Sequence, residues 1–161
     1  LDGRTTIFDY WSMESVRAWN NNGKFDEELL TEDQRELRKQ YKQILTIARD
    51  EAAINQGVFF DLMYVNMNNP NFNPNKQYAF LRSYKNEVIL VVANFDQIQQ
   101  KVKVDIPIDF FHYAHLKENK AAQVTNLLTG KTSVGTLTDS WSYEVAVEPY
   151  AATILKFTYE A

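Results

Sequence analysis

Two carboxylates flanking a glycosidic bond could cleave it, one as acid and the other as nucleophile or base. This sequence offers two such pairs, Asp2 with Asp9 and Glu144 with Glu148. Asp2 and Asp9 lie in an irregular stretch rich in aromatic residues, a setting suited to lining a site. Glu144 and Glu148 alternate with Val145 and Val147, which reads as the wet face of a strand rather than a catalytic centre. The two histidines, His112 and His115, stand three apart, and surface or packing roles account for them better than metal binding. Cysteine is absent, so there is no thiol nucleophile, thiolate zinc site or disulfide framework. No Gly-x-Ser-x-Gly elbow presents a serine. None of the five glycines builds a phosphate-cradling loop. No metal and no cofactor is therefore expected. What remains is aromatic surface: 10 Phe, 9 Tyr and 3 Trp. The C–H face of a pyranose is apolar and stacks on such rings. Trp141 and Tyr150 sit near turn residues and could form a sugar platform, with Tyr143 as a third member; packing in the core or at a domain junction is the alternative. Trp11 and Trp19 are better read as wedges against a neighbouring domain.

The elements that would position these residues change character near Gly57. Before it, the period is helical. Thr31 and Gln34 have capping-box spacing, and Glu32 and Asp33 complement the helix dipole. Leu37, Tyr41, Ile44, Leu45 and Ala48 continue at helical intervals, so a helix is expected from Glu32 to Arg49. A shorter helix is expected from Met13 to Trp19, capped by Ser12 and ended by Asn20–Gly23. After Gly57 the period falls to two. Strands are expected at Val58–Tyr64, Gln77–Tyr84, Val88–Phe95, Val102–Ile108, Gln123–Leu128, Tyr143–Val147 and Thr153–Tyr159. The stretch Asn66–Asn75 holds six Asn and two Pro and reads as a loop. Short strands between turns predict an antiparallel sandwich or barrel.

Size and composition agree with a folded domain. The chain has 161 residues, a net charge of −4, 45% hydrophobic and 24% charged residues. These values exclude a disordered tail, a collagen and a coiled coil. No apolar run is long enough to span a membrane. Mild acidity without Lys/Arg clusters argues against nucleic acid as a partner. A start at Leu1 rather than Met is expected of a piece of a longer chain, with any export signal upstream.

Several segments, in order, resemble one family. Asp2-Gly3-Arg4-Thr5-Thr6-Ile7-Phe8-Asp9-Tyr10-Trp11 is similar to the segment after the last barrel strand of the α-amylase family of glycoside hydrolases, family 13. Trp19, Phe25, Leu29-Leu30-Thr31, Leu37-Arg38 and Tyr41 resemble its final barrel helix. Ala53-Ile54, Gly57 and Phe59 resemble the passage into its C-terminal domain. Tyr78–Arg82, Val88–Phe95 and Glu148–Leu155 resemble strands of that domain. The resemblance implies a mainly β fold: a Greek-key-like antiparallel β-sandwich, preceded by one or two α-helices from the end of a (β/α)8 barrel. It places residues 1–52 in the barrel and 53–161 in the sandwich.

The same resemblance implies a retaining parent enzyme acting on α-glucans such as starch. The family's catalytic motifs do not occur here; Arg49-Asp50 mimics one of them at a helix end instead of a strand end. No catalytic residue and no metal ligand is carried over, and the chain alone is expected to be inactive. Asp2 and Arg4, on the loop after the last barrel strand, are expected to face substrate in the intact barrel, because barrel active sites form on those loops. The expected partners are the upstream barrel of the same polypeptide, an α-glucan, and a second copy of the chain paired through the apolar stripe of residues 1–50. A secreted, periplasmic or cell-surface bacterial parent fits the resemblance. The alternatives are a stand-alone carbohydrate-binding module and an unrelated β-sandwich that binds a protein partner.

Overall fold

A computed structural model of the chain describes residues 13–160. It divides into two compact units, with the division after Leu45.

In the first unit, helix α1 (Glu14–Asn20) runs into a 3-10 turn at Asn21–Gly23. Asn21 and Asn22 adopt positive φ, which Asn tolerates better than most residues. Met13, not Ser12, occupies the N-cap of α1; Ser12 itself lies outside the described residues. Helix α2 spans Glu32–Asp50. Its capping box forms as the spacing predicts: the Gln34 side chain accepts from Thr31 N–H at 3.0 Å, and Thr31 Oγ1 accepts from Gln34 N–H at 3.3 Å. Such a cap stabilises a helix by about 1 kcal/mol. Trp19 meets Phe25 edge-on at 4.9 Å, and the Arg38 guanidinium lies 5.9 Å from the Trp19 ring centre.

The second unit holds the end of α2, the short helix α3 (Ala52–Asn55) and eight strands. Strands β1 (Val58–Asp61), β2 (Gln77–Tyr84), β3 (Glu87–Asn94), β5 (Ala121–Asn126), β6 (Thr132–Thr136) and β8 (Ala151–Thr158) form one antiparallel sheet in the order β1-β2-β3-β8-β5-β6. Strands β4 (Gln100–Val104) and β7 (Tyr143–Val147) form a second, two-stranded sheet. The chain leaves the large sheet after β3 for β4, rejoins it as β5 and β6, and leaves again for β7 before β8 inserts between β3 and β5, the crossing expected of a Greek-key-like sandwich. The sequence expectation of a mainly β fold with preceding helices holds.

One core fills the space between the sheets. Leu81, Leu90, Val92, Val124 and Phe157 come from the large sheet, and Val102, Val104, Val145 and Val147 from the small one. Helix α5 (Ile108–Ala114) closes the layer with Phe110 and Phe111. Each fully buried Phe contributes up to about 3 kcal/mol. A second, smaller cluster lies on the other face of the large sheet. There Ile89 and Ile154 pack on Ile47 at the end of α2 and on Ala53 of α3. Lys156 pins this corner through Glu51 at 2.8 Å.

Three local expectations are corrected. The strand expected to run to Tyr64 stops at Asp61, and Met63–Asn66 forms the short helix α4. The strand expected through Ile108 stops at Val104: Pro107 caps α5, and Ile108 is its first residue. Strand β6 carries no alternating pattern and was not expected from the sequence. No helix among the described residues is long and apolar enough to cross a membrane.

Candidate functional site

The sugar-platform residues lie at the two ends of β7. Trp141 sits in the connection before it, 56% exposed, next to Ser142, whose hydroxyl donates to the Asp105 carboxylate. Tyr150 sits in the turn after it, 73% exposed. Five strand residues at about 3.4 Å each separate the two, so they do not share one pyranose-sized platform. Tyr143 turns inward and meets Phe157 edge-on at 5.2 Å, a packing role. Asp2 and Arg4, with Asp9 and Trp11, lie outside the described residues.

The other flagged groups are held in ordinary structural roles. Glu144 pairs with Lys101 at 3.4 Å, and Glu148 accepts from Gln99 at 2.6 Å, both on the wet side of the small sheet. His112 lies in the last turn of α5, and His115 caps that helix at φ +55°. The Asp139 carboxylate beside Glu118 raises the Glu118 carboxyl above its usual range, with burial adding to the effect and His112 opposing it. No group of three His, Asp or Glu among the described residues could hold a metal ion.

Two features that the sequence did not flag stand out. The first is the outer face of the large sheet at its β1–β2 end. Phe59 pairs across from Arg82, so it shares that face with Tyr78 and Phe80. The Phe59 and Phe80 rings lie 5.4 Å apart, and Tyr78 lies 5.9 Å from Phe80. Phe59 is nevertheless 46% exposed. The signal was present in β2, where Tyr78, Phe80 and Arg82 alternate with the buried Ala79, Leu81 and Ser83. A strand with large apolar groups on both faces requires cover on both.

The second is a polar cavity of about 250 Å³ walled by Phe72, Asn73, Gln77, Asp96 and Gln100. Lys76 holds Asp96 at 2.9 Å and lowers its carboxyl below the usual range, helped by Gln97 N–H and opposed by burial. The Tyr150 backbone is tied to one of these walls, its N–H donating to Asp96 O at 3.1 Å. The residues that meet here are distant in sequence, so no local pattern announced them.

No curated protein sequence matches the chain. Among solved structures, AmyP in complex with maltose is 19% identical, with a TM-score of 0.55, over 82% of this chain and 22% of that one. The noncanonic maltogenic α-amylase AmyB from Thermotoga neapolitana is 16% identical, with a TM-score of 0.56, over 78% and 26%. An Anoxybacillus α-amylase is 17% identical, with a TM-score of 0.51, over 78% and 23%. These likenesses are of fold, and this chain spans about a quarter of each of those chains. A family model described as "Maltogenic Amylase, C-terminal domain" matches residues 70–154, from the Asn-rich loop to the middle of β8 and just over half of the sequence. With the sandwich topology, that match places the chain in the maltogenic amylase C-terminal domain family.

Proposed function

We propose that this chain is the closing part of an α-glucan-acting glycoside hydrolase and that its role is to brace the catalytic barrel. Residues 1–52 would complete the barrel, residues 53–161 form the bracing sandwich, and catalysis belongs upstream. The observation that carries this reading is the apolar outer face formed by Phe59, Tyr78 and Phe80. The end of α2 and α3 already cover the neighbouring part of that face, at Ile89 and Ile154. The barrel is continuous with α2, so it is the body best placed to cover the rest. AmyP and AmyB, which share this fold, are chains about three to four times longer, and the AmyP structure holds maltose. The chain alone is expected to cleave no starch.

The test compares the full-length parent with this chain alone. Phe59→Ser together with Phe80→Ser is expected to cost the parent about 3 kcal/mol of lost apolar burial. The unfolding transition of the closing part within the parent should move down by about 6–12 °C. In this chain alone, where Phe59 is already 46% exposed and Phe80 only half-buried, the same change should lower the midpoint by clearly less than in the parent. An unchanged midpoint in the parent would sink the bracing role.

The apolar stripe of α2 supports a second expectation. Leu37, Tyr41, Ile44 and Leu45 are all more than half exposed. Contiguous apolar surface of this kind drives association. Without the barrel, the chain is expected to dimerise through this stripe, and Leu37→Glu with Leu45→Glu to keep it monomeric. Light scattering that shows a monomer across the whole concentration range would count against it.

A further inference from the structure

We infer that the polar cavity beside Tyr150 is a binding site for one hexose unit of a neutral glucan, with the Tyr150 ring stacking on the adjacent sugar. The cavity's chemistry selects for hydroxyl groups. Its walls carry carboxamides from Asn71, Asn73, Gln77 and Gln100, each of which both donates and accepts, as sugar hydroxyls do. Gln77 is 5% exposed and Asp96 7%, so the floor is built of buried polar side chains. Two donors there are engaged only by long contacts: Gln77 Nε2 to Asn94 Oδ1 at 3.5 Å, and Gln100 Nε2 to Asp96 Oδ2 at 3.4 Å. Hydroxyl oxygens would complete them better. Charge argues against other ligands. Asp96 is neutralised by Lys76, and Lys101 pairs with Glu144, which leaves no free cation for a phosphate and no carboxylate set for a metal. At about 250 Å³ the cavity lies just below the range usual for small-molecule sites and suits one ring rather than a chain.

Tyr150 supplies the independent observation. Its φ of +49° is a left-handed conformation in which a bulky side chain is strained, and glycine would sit there freely. Strain of this kind persists where the side chain has a use. The ring makes no aromatic contact among the described residues and is 73% exposed, so packing there does not explain it. The tie from its N–H to Asp96 O fixes it next to the cavity wall.

The choice of α-glucan as probe rests on the proposed function; the site itself does not. Affinity electrophoresis of this chain in soluble starch, with titrations of maltoheptaose and cellohexaose, tests both. The chain should be retarded by starch and should bind maltoheptaose. Tyr150→Gly and Gln100→Ala should each weaken binding about tenfold, the weight of one lost stacking or hydroxyl contact. Tyr150→Gly should do so while raising the thermal midpoint, which separates loss of the ring from loss of the fold. Val134→Ser, on the far edge strand, should bind like the parent chain. Binding of cellohexaose in place of maltoheptaose, lost in the same variants, keeps the site and overturns the α-glucan reading. No binding of either sugar, or binding that both variants retain, overturns the site.

Discussion

Gly57→Ala is expected to destabilise the sandwich by about 3 kcal/mol or more and to lower its unfolding midpoint by about 10 °C or more. Gly57 has no special φ to protect; its constraint is space. A Cβ there would collide with the carbonyl oxygen of Ala53 and stand 2.5 Å from that of Ser83. Both obstacles are backbone. Ser83 is fixed in β2, opposite Val58, and Ala53 is fully buried in α3. Neither can move without opening the corner where the helical segment enters the sheet. Arg82 locks the same corner. Its guanidinium donates to Ala53 O at 3.2 Å, Ile54 O at 2.5 Å and Gly57 O at 2.7 Å, and so satisfies carbonyls that a helix end leaves unpaired. A shifted Gly57 would break these bonds as well, so the penalty exceeds that of a simple clash. Thermal unfolding followed by circular dichroism reads the effect; a midpoint within 2–3 °C of the original, about 1 kcal/mol, would show that the corner has slack.

The sequence was most informative where the cause is local. Helix α2 is announced by its own cap, because Thr31 and Gln34 bond to each other across one turn. Strands β2, β3 and β7 follow from alternation along a few residues, and their observed limits differ from the expected ones by at most one residue. The misreadings arose where local pattern and tertiary setting diverge. Ile106 and Ile108 prolong the period of β4, yet Pro107 lacks the N–H a strand needs and starts a helix. Strand β6 is an exposed edge of Thr, Ser, Val and Gly, with no buried stripe to read. Its Gly135 is there because the Tyr143 hydroxyl lies 2.9 Å from where a Cβ would be, a contact that no window of sequence contains.

The same limit governs the candidate sites. Aromatic type alone was enough to flag Trp141 and Tyr150, but only the topology separates them along β7 and brings Tyr150 to Asp96. Polar cavities are assembled from loops, whose residues carry no periodicity. Apolar docking faces are easier to anticipate, because a strand that is greasy on both sides must be covered on both. The whole β1–β2 face could therefore have been read from Tyr78, Phe80 and Arg82 alternating with Ala79 and Leu81.

The Asn-rich stretch makes the same point energetically and yields the other large effect. Its composition reads as turn chemistry, but two of its asparagines are buried and act as a substitute strand. Asn66 Nδ2 donates to Leu62 O at 2.9 Å and Asp105 O at 3.0 Å. Its Oδ1 accepts from Asp105 N–H at 2.8 Å and from Asn69 Nδ2 at 2.9 Å. Asn69 Nδ2 also donates to Lys103 O at 2.8 Å, and Asn71 O accepts from Lys103 N–H at 3.2 Å. Lys103 and Asp105 thereby find partners on the side of β4 that faces away from β7, where a bare edge would expose unpaired backbone. Asn66→Ala would orphan several buried groups at once, each costing about 1–3 kcal/mol, so a loss of about 3 kcal/mol or more is expected. Asn66→Asp keeps the shape but aims carboxylate oxygens at the Leu62 and Asp105 carbonyls. Burial then raises the folded-state pKa of that carboxyl above its unfolded value of about 3.9. With the pKa raised on folding, the folded state binds the proton more tightly. The deficit of Asn66→Asp should therefore be greatest at neutral pH and shrink as pH falls through the folded pKa toward about 4. Asn66→Ala has nothing to titrate and should show the same deficit at both pH values. Urea denaturation of the two variants at pH 7 and pH 4.5 separates them; equal deficits at both pH values for Asn66→Asp would mean that water, not the carbonyls, receives the Asn66 side chain.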